Sequence, residues 1–174
     1  ELMVRNKLKE AAPNVKLKYT FTLYGETVNT DMEEMTFRNK RKYINNDTLY
    51  QLRDALEIMN NCTRVVLDNT AASDAECAQL REDYRGKTSI VWRVYFADHG
   101  SSLTDVDVLR CTYDLTDGNS AALAYCEDVR FVDFGHDTAL KTVDFMSTMT
   151  ELEYRATMEN RNMVKLLMDT VGRC

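Results

Sequence analysis

Proline is almost missing from this chain: Pro13 is the only one in 174 residues. Glycine occurs at six positions, so collagen-like and proline-rich disordered classes are excluded. No apolar run approaches the roughly eighteen residues of a membrane-spanning helix, and no membrane insertion is expected. Positive charge is in deficit, with 22 Lys and Arg against 28 Asp and Glu, a formal charge of −6. That balance disfavours nucleic acid as a partner, because neutralising phosphates requires a basic footprint. The sequence does hold 44% hydrophobic and 9% aromatic residues, enough for one real core and too many for whole-chain disorder. The expectation is a single domain over residues 1–174.

Five cysteines stand out, and four of them form two equally spaced pairs, Cys62 with Cys77 and Cys111 with Cys126. Bridges within these pairs would each close a loop of about fifteen residues, worth roughly 3 kcal/mol in the chain-entropy model. The competing reading makes them small apolar core residues, since Cys62 and Cys126 fall at helix ends just before strands. Cys174 ends the sequence. No CxxC or HxxxH spacing supports zinc, so neither metal nor cofactor is expected. The triplets Asn46-Asp47-Thr48 and Asn61-Cys62-Thr63 fit the glycosylation pattern, which chance also produces in an Asn- and Thr-rich chain. No signal-peptide pattern opens the sequence at Glu1. An exported or cell-surface location is the expectation, and the cytoplasm the alternative.

Periodicity predicts the elements. Residues 2–11 read as a short helix that Pro13 ends. Val15, Leu17, Tyr19, Phe21 and Leu23 alternate as a strand over 15–24, and residues 26–45 have no clear pattern. A helix follows from Asp47 to about Asn60, on the stripe Leu49, Leu52, Leu56 and Met59. Strands are predicted over 63–67 and 89–97. Between them the capping box Ser73–Glu76 opens a helix that Gly86 stops. Residues 103–116 are ambiguous and lead to a turn at Asp117-Gly118-Asn119. A short helix over 120–126, a strand over 129–134, a connector over 139–148 and a strand over 152–156 come next. A helix to Val171 ends the chain. One-helix crossovers between short strands favour parallel pairing.

One segment carries a spacing of its own. Val129, Val132 and Phe134, with Asp137 after them, fit L-x-x-L-x-L-x-x-N, a short strand followed by a bend at which the Asp side chain can bond exposed backbone. Leu152 begins a second register 23 residues later, and Asn160 closes it. Residues 122–154, ALAYCEDVRFVDFGHDTALKTVDFMSTMTELEY, resemble the leucine-rich repeats of bacterial proteins. The resemblance implies an α/β fold: a curved solenoid of short parallel strands with helical crossovers, in which residues 1–118 form a non-repeat leading region and 119–174 the repeat-like part. The alternative is an α+β fold with a mixed sheet. The resemblance also implies a non-catalytic module that offers a concave strand face to a protein partner. A structural spacer or presenting domain of a longer chain is the second reading.

Chemistry-bearing residues are few. His99 and His136 each sit beside an Asp, in Asp98-His99-Gly100 and Gly135-His136-Asp137, and a hydrolase would use these four groups if they converged. Polar residues at strand-end bends explain them more simply. Asp133-Phe134-Gly135 matches a kinase metal motif in letters only, because no glycine-rich loop or catalytic-loop motif accompanies it. Asp114, Thr116, Asp117 and Asn119 lack the final carboxylate of a calcium loop and read as a turn. No enzymatic role is expected. Arg38, Lys40, Arg41 and Lys42 are the one concentrated run of positive charge, and with Arg130 and Asp133 they are the candidate partner contacts.

Overall fold

A computed structural model describes residues 18–111, 114–134 and 139–156, the side chains of 154–156 excepted. Strands β1 (Thr20–Leu23) and β2 (Glu26–Asn29) form an antiparallel hairpin. Four strands make the largest sheet: β3 (Glu34–Arg38), β4 (Arg64–Asp68), β5 (Ser89–Phe96) and β6 (Gly100–Leu103), in that order. The first three run parallel, and β6 returns antiparallel to β5. The third sheet is parallel throughout, β7 (Val108–Arg110), β8 (Phe131–Asp133) and β9 (Tyr154–Ala156). Helix α1 (Leu49–Leu56) connects β3 to β4, and α2 (Asp74–Asp83) connects β4 to β5. The later crossovers are tighter 3-10 turns, Ala121–Tyr125 and Asp144–Thr148.

Local chemistry accounts for the main elements. Ser73 caps α2 by accepting from the Glu76 N–H at 3.4 Å, and Gly86 leaves the helix at φ +80°. Alternation in β5 turns Ile90, Trp92, Val94 and Phe96 inward. There they join Met35 and Phe37 of β3, Val65 and Leu67 of β4, and Leu52 and Leu56 of α1 in one core. The same core runs on through Leu109, Leu123, Cys126, Val129, Val132, Phe134, Met146 and Met149, so the three sheets share a single apolar interior.

This architecture corrects the expected fold. The chain is a mixed α/β assembly of several small sheets, with two α-helices among the described residues, and not one solenoid of parallel strands with helical crossovers. The antiparallel pairing of β5 with β6, Arg93 opposite Leu103 and Phe96 opposite Gly100, breaks the parallel order. Its physical cause is the reversal at Ala97, which takes φ +50°, followed by Gly100 packed hard against Phe96. A Cβ on Gly100 would stand 2.6 Å from the Phe96 ring, so only glycine lets β6 fold back there. The 23-residue spacing does hold within the third sheet, where Val108 pairs with Phe131 and Phe131 with Tyr154. Strands β2, β3, β6 and β7 occupy stretches in which the sequence pattern shows nothing clear. The expected helices at 2–11 and beyond 156 lie outside the described residues.

Two outcomes test this packing. Gly100→Ala is expected to cost about 1–3 kcal/mol through the clash with Phe96, read as a lower thermal midpoint. An unchanged midpoint would refute the close approach. Cys62, Cys77 and Cys126 are buried thiols, and burial pushes the Cys77 and Cys126 thiols up to about 12 and the Cys62 thiol up as well. Near neutral pH these three are expected to resist thiol labelling in the folded protein. Intact mass after denaturation without reductant should then show all five cysteines of the chain modified.

Candidate functional site

The period-2 alternation that fills the core from β3, β4 and β5 leaves a second face pointing away from it. On this face lie Glu34, Thr36 and Arg38, then Arg64, Val66 and Asp68, then Ser89, Val91, Arg93 and Tyr95. Val66 and Val91 are buried although they stand outside the main core. Ion pairs frame them on both sides. At one end the Arg64 guanidinium donates to Asp105 at 2.6 and 3.1 Å. At the other, Asp68 accepts from Arg93 at 2.6 Å and from Arg38 at 3.1 Å, so one carboxylate joins three adjacent strands. The bond from Arg93, with that from Arg38, holds the Asp68 carboxyl below the usual carboxylate range against the opposing effect of burial.

Beyond this row the strands end in two matching asparagines. Asn39 and Asn69 follow the paired residues Arg38 and Asp68, and both adopt left-handed backbone, at φ +57° and +55°. Asparagine tolerates that region better than most residues. The Asn69 amide donates to Asn39 Oδ1 at 2.6 Å, and the Asn39 N–H donates to the Asp68 carbonyl at 2.9 Å. Asn69 Oδ1 in turn accepts from Arg41 and from the Tyr95 hydroxyl, each at 3.3 Å. Tyr95 keeps 56% of its surface exposed, and Tyr43, at the end of the same turn, 52%.

The predicted contact residues therefore divide. Arg38 and Arg41 belong to this face. Lys40 pairs with Glu26 and lies over the Tyr43 ring, and Lys42 is exposed with no ion pair among the described residues. Arg130 immediately precedes β8 and is paired with Glu153 at 2.5 Å; Asp133 is on β8. Val129, Val132 and Phe134 are core residues, and Leu152 is half-buried against that core. His99 is exposed in the β5–β6 turn. His136, Asp137, Asn160 and Cys174 lie outside the described residues, and Cys111 is a half-buried thiol. Asp68, Asn69, Arg93 and Tyr95 escape the sequence reading. The alternation in SIVWRVYF was the available signal for Arg93 and Tyr95, because it sets them opposite the apolar set.

A cleft of about 350 Å³ opens elsewhere, lined by Thr63, Arg81, Arg85, Ser89 and Glu127 among others. Its arginines are already engaged: Glu127 accepts from Arg81 at 2.5 Å and from Arg85 at 3.0 Å. Among the described residues, no group of three His, Cys, Asp or Glu side chains could hold a metal ion.

No protein family, curated protein or solved structure was found to match the chain.

Asp68→Asn tests the cross-strand row. The substitution leaves Arg38 and Arg93 without their anion and is expected to cost about 1–3 kcal/mol near neutral pH. A lowered folded-state pKa means that the wild-type contribution is complete above the unfolded value of about 4 and is lost as pH falls through the folded one. The stability difference between the two proteins should therefore shrink on acidification below pH about 4, as urea titrations at several pH values would record.

Proposed function

We propose that the chain is a non-catalytic protein-interaction module whose contact surface is the outward face of β3–β5 together with the turn after β3. The exposed Tyr95, fixed by its bond to Asn69 beside Arg41, carries the reading. Tyrosine and arginine are the side chains in which binding energy concentrates at interfaces. A ring held in place before binding loses little rotamer freedom on contact. The resemblance to leucine-rich repeats supports the same class of work, and its local basis is the recurring 23-residue spacing of β7, β8 and β9. A structural spacer is the second reading, favoured by the internal pairing of Arg64 with Asp105 and of Arg93 with Asp68.

Peptide display on the immobilised protein separates the two. The module is expected to enrich peptides whose affinity falls about tenfold or more when Tyr95→Ala and Arg41→Ala are combined. Peptides that bind the double variant equally well would remove this surface from the reading. A selection that enriches none would favour the spacer.

A further inference from the structure

We propose that the turn Arg38–Tyr43, with Tyr95 beside it, docks an acidic extended segment of the partner protein. The proposal rests on the interaction-module reading and names the partner's chemistry. Charge complementarity carries it. The chain as a whole is at −6, yet four of the five residues from Arg38 to Lys42 are cations. Most of that charge is open to a ligand. Among the described residues Arg41 bonds only the neutral amide oxygen of Asn69, at 3.3 Å, and keeps further N–H donors for a carboxylate. Lys42 is exposed and unpaired among the described residues. Arg38 shares Asp68 with Arg93, so this carboxylate faces two guanidinium groups and leaves a net positive charge, and the Arg38 side chain is 70% exposed. Lys40 alone is matched, by Glu26.

The surrounding geometry suits a segment rather than a lone ion. Tyr95 and Tyr43 add two half-exposed rings to the cationic turn, giving apolar contact beside the charges. The bond between Asn39 and Asn69 fixes the turn before anything binds. An acidic segment would be repelled by the remaining surface of an anionic protein and attracted here, which sets its position as well as its affinity.

Fluorescence anisotropy on the full chain tests this with a short labelled peptide in which glutamate alternates with alanine, and a lysine counterpart as control. The glutamate peptide is expected to bind, weakening as salt rises, and the lysine peptide not to bind. Arg41→Ala with Lys42→Ala should lower its affinity about tenfold, with an unchanged thermal midpoint because both residues are exposed. Arg41→Glu with Lys42→Glu should reverse the preference toward the lysine peptide. Equal binding of the two peptides, no loss in the alanine variant, or preferential binding of anionic vesicles or an oligonucleotide would overturn the proposal. Display-selected peptides that depend on Tyr95 but carry no excess of acidic residues would leave the interaction module standing and remove the acidic partner.

Discussion

Trp92 is where the parts of this molecule are tied together. Its indole N–H donates to Asp74 Oδ1 in the first turn of α2 at 2.9 Å. Its ring packs on Tyr125 of the first long 3-10 turn, with centroids 5.5 Å apart, and the Arg81 guanidinium carbon lies 4.9 Å from its centre. Arg81 then donates to the Tyr125 carbonyl at 2.8 Å and to Glu127, carrying the link toward β8. The Trp92 backbone exchanges hydrogen bonds with Thr104, the residue after β6. A buried tryptophan needs a partner for its N–H, and here that need selects the position of α2 against the sheet. One side chain thus ties the four-stranded sheet to α2 and to the 3-10 turn that leads toward β8.

With the inner face so occupied, the outer face is the one left for the proposed contact surface. Its middle holds the buried Val66 and Val91, ion pairs of Arg64 with Asp105 and of Asp68 with Arg38 and Arg93 flank them, and the asparagine turn beyond is exposed, cationic and aromatic. At this exposed turn Asn39 and Asn69 absorb the left-handed backbone and bond each other.

Legibility varied with the strength of the local pattern. Helix α2 was readable from Ser73, Glu76 and Gly86, β4 from its apolar run and β5 from its dense apolar alternation. Strand β3 alternates over only five residues, with just Met35 and Phe37 facing in, too short a run to stand out among its polar neighbours, and β6 reads Gly-Ser-Ser-Leu with no apolar period. The spacing around Val129 and Leu152 was visible and is real within the third sheet, but it says nothing about strands outside that sheet. Extending it to the whole chain missed the reversal after Phe96, which turns on backbone sterics at Ala97 and Gly100. The basic run at 38–42 was evident; that Asp68, Asn69 and Tyr95 stand beside it was not.

By itself the sequence determined one core, an acidic surface broken by one basic turn, and most of the helix and strand positions, because these follow from composition and short-range period. Only the tertiary structure decided which strands pair, which way β6 runs, and which residues meet at the turn. The direction of β6 turns on the close approach of Gly100 to Phe96, and the meeting at the turn depends on contacts some 25 to 30 positions apart, such as Arg38 with Asp68 and Tyr95 with Asn69, a distance that no local pattern encodes.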